Sequence, residues 1–487
     1  MKQFAFAMGS KLANIRLNLP TLHRFLCGLL VAAGVSTYSA VAAAGSVNGE
    51  LSILVSNLAK TPTITEERQY ARIATDSFGN SVVVWQKKNT NSILEPVDSA
   101  NGGIFGQLVS LDGVLSGSKF LVHRNAAGEQ SRPDVAMDGS GNFIVVWVNN
   151  NSVSENIVYA QRYNADGTTN GSLITVSSAT ANASTPRIAA DTAGNFVVTW
   201  REGSNTIHAR LFASIGTPES PVITVNGAPA YVRSVPEIAM DASGNFTIVW
   251  VEGTSLSDGG DGSGRGVFGQ RFNSVAGKSG GVFQVNTSTA GDQGFPQISM
   301  DSSGNFLVFW FGYSDDRNDL DILGQAFTAA GNKTGGEFHA TGMPETMSIF
   351  SNYKAGSDSN GVTTLVWFSH IKNDGGDSYV NLRTIQINGT AVTTSYPIIP
   401  TAYAEFHVAR NNSGRTTVVW EEERPDIKYY ISALVNPDEY IPSANPAGSG
   451  GGCAMKKDSV FDPVLMGFVL LGFYYLLFAR CRRVEEL

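Results

Sequence analysis

Seven polar side chains recur at one fixed position in this chain: Arg72, Asp134, Arg187, Glu237, Gln297, Lys354 and His407. Each stands four residues ahead of the start of a turn patterned on Asp-x-x-Gly-Asn, and each is followed by Ile, Val or Ala. The first four alternate in sign, plus, minus, plus, minus, so neighbours could neutralise one another. If they converge in a concavity, the same groups are what a site for a polar ligand requires; both readings stand at the level of sequence.

The turns themselves offer Asp, Ser and Asn oxygens, which are hard ligands suited to Ca²⁺. A full calcium loop needs alternating acids and a terminal Glu, whereas these turns carry about one acid each, so they read first as hairpin caps. Three acidic stretches, Asp258-GGDGSG-264, Asp315-DRNDLD-321 and Asn373-DGGDS-378, the first and third Gly-rich, are ordinary solvated loops in composition. Grouped on one face they could bind Ca²⁺ or a basic partner, which makes Asp258, Asp261, Asp315 and Asp316 the metal candidates, with no cofactor required. Catalytic motifs are sparse: there is no Gly-x-Ser-x-Gly elbow, no His-Glu-x-x-His and no paired Cys ligands. Gly277-Lys-Ser279 lacks the first glycine of a phosphate loop, because Phe272 stands there.

The elements that must position these residues are repeats. They are Arg72-IATDSFGNSVVVW-85, Asp134-VAMDGSGNFIVVW-147, Arg187-IAADTAGNFVVTW-200, Glu237-IAMDASGNFTIVW-250, Gln297-ISMDSSGNFLVFW-310, Lys354-AGSDSNGVTTLVW-367 and His407-VARNNSGRTTVVW-420. All seven tryptophans of the protein close one unit each. Every unit reads as strand, tight turn, strand, with Asp capping the turn and Gly supplying positive φ. A third strand follows (Ile104-FGQLV, Val267-FGQRF and their counterparts), then in six units a fourth (Phe120-LV, Val282-FQV and so on). Four strands per repeat make the blades of a propeller. The last unit lacks a fourth strand, and Leu51-SILVSN-57 stands spare at the other end, so pairing the two would close the ring. The expectation is an all-β, seven-bladed β-propeller of four-stranded antiparallel blades over residues 45–440, closed by an N-terminal strand.

This repeat resembles the DxxGN-VVW repeats of bacterial exported proteins over residues 51–435, and more loosely the Asp-box turns of sialidase-type propellers. The second resemblance implies a glycan hydrolase with converging arginines, a Tyr nucleophile and a carboxylate pair. Arg72 and Arg187 stand in plausible places for it, but a third inner-strand arginine is not evident.

Both ends carry addresses. Residues 1–44 combine Lys2, Lys11, Arg16 and Arg24 with the apolar run 25–35 and Ala40-Val-Ala-Ala-Ala44, the three-part pattern of a signal peptide. Residues 441–453 form a Gly-rich linker ending in Cys453, and residues 454–487 hold Asp462-Pro463, an uncharged stretch 464–479 that reads as a transmembrane helix, and a basic end with Arg480, Arg482 and Arg483. In that order these features resemble the bacterial CTERM sorting tails, closest to the JDVT-CTERM type. The resemblance implies a transient inner-membrane anchor cut by a sorting intramembrane protease on the way to the cell surface. Cys453 has no partner in the exported body, since residues 45–452 contain no other Cys, so it suits processing or lipidation.

Composition bounds the function. Fifty-two Gly, 16% charged and 10% aromatic residues describe a turn-rich folded chain, not a disordered one. Residues 45–452 hold 25 Lys/Arg against 38 Asp/Glu, a formal −13 that phosphate would repel, so nucleic acid is excluded as a partner. The expected partners are the membrane, the sorting protease and a surface glycan or protein ligand. The leading expectation is an exported, surface-sorted binding or interaction module. A sialidase-like glycan hydrolase and a structural envelope protein are the alternatives, and the balance falls on a non-enzyme.

Overall fold

The computed structural model describes residues 51–54, 67–88, 103–122, 128–150, 156–178, 182–203, 206–226, 235–253, 260–313, 320–342, 347–371, 378–400, 405–424 and 427–435. The signal peptide 1–44, the linker with Cys453 and the expected helix 464–479 lie outside the described residues. Among the described residues every regular element is a strand, and no helix is long and apolar enough to cross a membrane.

The chain is an all-β propeller of four-stranded antiparallel blades. In chain order β1 is Leu51–Leu54, and the first blade is β2 (Glu67–Thr75), β3 (Ser81–Lys88), β4 (Gly103–Val109) and β5 (Leu115–Leu121). The second is β6 (Glu129–Met137), β7 (Phe143–Asn150), β8 (Asn156–Tyr163) and β9 (Ile174–Thr175). The third is β10 (Ala183–Ala190), β11 (Phe196–Glu202), β12 (Thr206–Phe212) and β13 (Ile223–Thr224); the fourth is β14 (Glu237–Met240), β15 (Phe246–Glu252), β16 (Gly266–Phe272) and β17 (Phe283–Gln284). The fifth is β18 (Gly294–Met300), β19 (Phe306–Tyr313), β20 (Leu320–Phe327) and β21 (Lys333–His339); the sixth is β22 (Met347–Ser357), β23 (Thr363–Ile371), β24 (Ser378–Ile385) and β25 (Tyr396–Pro400). These six blades each use four strands consecutive in the chain. A further four-stranded sheet is composite: β26 (Phe406–Arg410), β27 (Thr416–Arg424) and β28 (Ile427–Val435) take β1 as the fourth strand, with Leu51 opposite Val435 and Leu54 opposite Ser432.

Tryptophan shows why the repeats stack. The buried apolar residues fall into seven clusters, each drawn from two adjacent sheets and each holding one of the seven tryptophans. The second strands are therefore buried on both faces, which is why they read as unbroken β-branched runs. β26 lies against β22 on one side and β2 on the other, and the Arg415 guanidinium donates to the Leu111 carbonyl across the same seam at 2.7 Å. One cross-strand pair tunes the outer layer of five blades. Gly106, Gly269 and Gly324 face Phe120, Phe283 and Phe338, whose rings would lie within 2.6 Å of any added Cβ, whereas Ala160 and Ala209 face the smaller Ile174 and Ile223.

The Asp-x-x-Gly-Asn turn is a hydrogen-bond hub. In the fourth blade Asp241 Oδ1 accepts the Ser243 and Asn245 amides at 2.8 Å, and Oδ2 accepts the Asn245 side-chain amide at 2.8 Å. Asn80, Asn195 and Asn305 also accept, through Oδ1, an amide from the turn between third and fourth strands, tying the two hairpins together. Glycine is required twice over at Gly304: its φ is +85°, and a Cβ there would stand 2.9 Å from Asp241 Oδ2 of the preceding blade.

Candidate functional site

All inner strands run toward the Asp turns, so their entry ends gather at the opposite mouth. Arg72, Asp134, Arg187, Glu237, Gln297, Lys354 and His407 occupy one register position: each pairs with the residue just before the blade's tryptophan, Val84, Val146, Thr199, Val249, Phe309, Val366 and Val419. Arg72 feels the charges of Arg187 and Glu237 as well as that of its neighbour Asp134. The seven are largely buried, however. Arg72, Asp134 and Gln297 are at most 9% exposed, and the rest are half-buried.

Within this ring charge is partly paired. Arg187 Nε lies 3.1 Å from Glu237 Oε1, and Arg72 Nε lies 3.8 Å from Asp134 Oδ1. The Ile188 amide donates to Asp134 Oδ2 at 3.1 Å. Several ring side chains also turn back on their own backbone: Arg72, Arg187 and Gln297 donate to the carbonyls of Ala71, Pro186 and Pro296 at 2.8, 2.9 and 2.9 Å. Burial raises the Asp134 carboxyl above the usual carboxylate range despite the pull of Arg187 and Arg72. Burial lowers the Lys354 ammonium to about 8, against the pull of Glu237. Burial, then Arg72 and Lys354, push the His407 imidazole well below its ordinary value, so it is neutral at pH 7, and its Nδ1 has no hydrogen-bond partner among the described residues.

Two residues ahead of the ring the inner strands bulge. The ladder slips between Gln69 and Arg72, Ser131 and Asp134, Ser184 and Arg187, and Gly294 and Gln297. In each slip a non-glycine residue takes positive φ: Tyr70 at 58°, Arg132 at 54°, Thr185 at 50° and Phe295 at 53°. Such backbone costs about 1–3 kcal/mol per residue and re-aims a side chain; of the four, Arg132 and Phe295 are exposed and Thr185 is buried. Sequence reasoning missed this upper tier. A signal was present: Pro133, Pro186 and Pro296 fall inside these strands, where proline is tolerated at edges and bulges only.

Between the two tiers lies a cavity of about 280 Å³. Arg132, Thr185 and Arg201 line one side, Val235, Phe295, Pro296 and Phe311 the other, and Arg187, Glu237, Gln297, Asn352, Tyr353 and Lys354 complete it. Burial, and then the like charge of Arg132, lower Arg201. Arg132 also stacks over the Tyr70 ring at 5.8 Å. The Tyr353 hydroxyl, raised well above its ordinary value by burial, donates to the Phe295 carbonyl at 2.6 Å. Three guanidinium groups, Arg132, Arg187 and Arg201, thus border one cavity; of these only Arg187 was among the sequence candidates.

The other candidates are elsewhere. Asp258, Asp315, Asp316 and Cys453 lie outside the described residues. Asp261 is already engaged, accepting from Asn286 Nδ2 after β17 at 2.7 Å and from the Ser263 amide of its own loop at 3.2 Å. Among the described residues no three His, Cys, Asp or Glu side chains are grouped to hold a metal ion. A second cavity of about 290 Å³ opens between the Asp turns, but the carboxylates there are those already committed as turn hubs.

No protein-family model matches the chain, and no curated protein matches it. Solved structures similar to it include a Dyadobacter fermentans protein of unknown function, 10% identical with a TM-score of 0.45, covering 79% of this chain and 97% of that one. The GH93 α-L-arabinofuranosidase of Fusarium graminearum is 13% identical with a TM-score of 0.39, covering 77% and 93%. A subtype N10 neuraminidase-like protein of the A/little yellow-shouldered bat/Guatemala strain is 10% identical with a TM-score of 0.37, covering 80% and 99%. At this distance they assign neither ligand nor reaction.

Proposed function

We propose that this chain is an exported, seven-bladed β-propeller that acts by binding, taking a polar ligand at the mouth where the inner strands begin. The observation that carries the reading is the cavity of about 280 Å³ there, bordered by positive-φ residues and by polar atoms left without partners: Thr185 Oγ1 and Arg201 Nε are buried and unpaired among the described residues. A rigid ring of blades presents these groups without rearrangement, which lowers the ordering cost of binding. Seven inter-blade cores and the β1–β28 pairing support the closed ring.

Export rests on the N-terminal pattern, and surface sorting on the resemblance of the C-terminal tail, with Cys453 the residue for cleavage or lipid attachment. Intact mass spectrometry of the native protein tests that part: a species from about Ala43 to about Cys453 is expected, and a full-length chain in the inner membrane overturns it. For the mouth, binding to an array of neutral, acidic and amino glycans and of peptides is compared between the wild type and Val235→Trp, which fills the cavity. Binding that survives Val235→Trp overturns the reading.

A sialidase-like hydrolase is the second reading, favoured by the three guanidinium groups round one cavity. Against it, Glu237 is held by Arg187 and Tyr353 is fixed to a backbone carbonyl with its hydroxyl raised, so neither is set up as base or nucleophile. Turnover of any glycoside that is lost in Arg187→Gln would replace binding by catalysis.

A further inference from the structure

The cavity is two-sided, and its sidedness describes a ligand. On the side of the second and third blades stand Arg132, exposed, and Arg201, with Thr185 between them on a strand bulge. The charge that acts on Arg201 is another guanidinium, and its Nε finds no acceptor among the described residues; Thr185 is 4% exposed, yet its Oγ1 is also unpaired. Two cations and a hydroxyl border one space, and a guanidinium's fork fits a carboxylate. On the opposite side Phe295 projects at φ 53°, 65% exposed, its backbone fixed by Tyr353 and its ring set edge-on to Phe311 at 6.0 Å. An exposed aromatic face held on strained backbone is a stacking platform, since only its contact with Phe311 is spent on packing. The floor offers donors in Lys354 and Gln297 and an acceptor in the Glu237 oxygen that Arg187 does not hold. An aromatic acid would leave those groups unmatched, whereas the hydroxyls of a sugar meet them.

We propose that this mouth recognises an acidic sugar residue of a glycan, with the carboxylate between Arg132, Arg201 and the Thr185 hydroxyl and one face of the sugar ring on Phe295. The inference rests on the reading of the mouth as a binding site and names its ligand class. It requires no bond to be made or broken.

The test is calorimetric titration of the folded protein with four probes: a hexuronate disaccharide, the neutral disaccharide of the same linkage, acetate and inorganic phosphate. The uronate is expected to bind at least about tenfold more tightly than the neutral sugar, and more weakly as salt rises. Arg201→Gln is expected to weaken it about tenfold to a hundredfold and Arg201→Lys to restore part of that loss, while Phe295→Ala weakens it about twofold to tenfold. Ser77→Ala, on the Asp-turn face, serves as the unchanged control, and circular dichroism establishes that each variant folds. Acetate or phosphate binding as well as the uronate overturns the sugar and leaves a bare anion pocket. Neutral or amino sugars binding at the mouth while the uronate does not overturns the proposal and leaves the binding reading standing. Failure of these probes together with the whole glycan and peptide array sinks both.

Discussion

The alternating charges of the ring pose a choice between mutual neutralisation and service to a ligand, and Glu237→Gln decides it. Glu237 Oε1 lies 3.1 Å from Arg187 Nε, with the two side chains 16% and 11% exposed. Removing one partner of a buried pair costs about 3–5 kcal/mol, because the other charge is left uncompensated. Glutamine keeps the shape and one acceptor, so the expected loss falls below that range, about 2–3 kcal/mol. Lys354 loses a neighbouring negative charge by the same change, which adds to the loss. Replacing both partners, Arg187→Met with Glu237→Leu, removes the stranded charge, and the double variant is expected to be more stable than the sum of the singles by about 2 kcal/mol. Urea denaturation at low and at 1 M salt measures this, and the coupling should persist at 1 M salt because a buried pair is poorly screened. A Glu237→Gln variant within about 0.5 kcal/mol of wild type, or single effects that simply add, would refute the pairing and free both side chains for a ligand.

The remaining predictions concern protonation, the turns and the rim. Lys354 is lowered from 10.5 to about 8, so between those values the unfolded chain binds more protons than the folded one, and stability rises with pH across that window; its cost is complete below pH 8. Lys354→Met should therefore be more stable than wild type at pH 7, the advantage fading from pH 8 to 10.5, and a pH-independent difference in urea midpoints would count against it. Asp241→Ala removes the acceptor of three hydrogen bonds and should lower stability by about 3–5 kcal/mol in calorimetry, while a chelator leaves the wild-type transition unmoved; a chelator-sensitive transition would restore the calcium reading of the turns. At the rim, Phe295→Gly is expected to match or exceed the stability of wild type although it deletes an aromatic ring.

Much of this architecture is legible in the chain because each repeat states it at several levels. Trp within every second strand marks an inter-blade core, the Asp-x-x-Gly-Asn turn fixes the hairpin, and the spare strand 51–54 pairs with β28 as expected. The ring position was equally legible, since polar residues at a fixed offset from the turn must share a register. Its depth was not: the bulges push the strand entry outward, so the ring lies below a second tier. That tier escapes pattern reading because Tyr70, Arg132, Thr185 and Phe295 share a backbone conformation and no chemistry. Arg201 escapes for a different reason. It follows Trp200 on β11, and only the convergence of the blades brings it beside Arg132.

The rim conformation supplies its own test of purpose. Positive φ costs an L-residue about 1–2 kcal/mol and glycine almost nothing, so a sequence selected for stability alone would place glycine at these bulges. At Phe295 the aromatic ring recovers little, because 65% of the residue is exposed. Phe295→Gly therefore relieves strain at small loss of burial, offset in part by glycine's extra freedom when unfolded, while Phe295→Ala loses the same contacts and keeps the strain. Glycine should exceed alanine at this position by about 1 kcal/mol, the reverse of their order in an ordinary strand. Equal stabilities, or the ordinary order, would mean that the bulge is not strained in solution. The expected order, joined to weakened ligand binding in both variants, would identify Phe295 as a side chain retained for what it contacts from outside the fold.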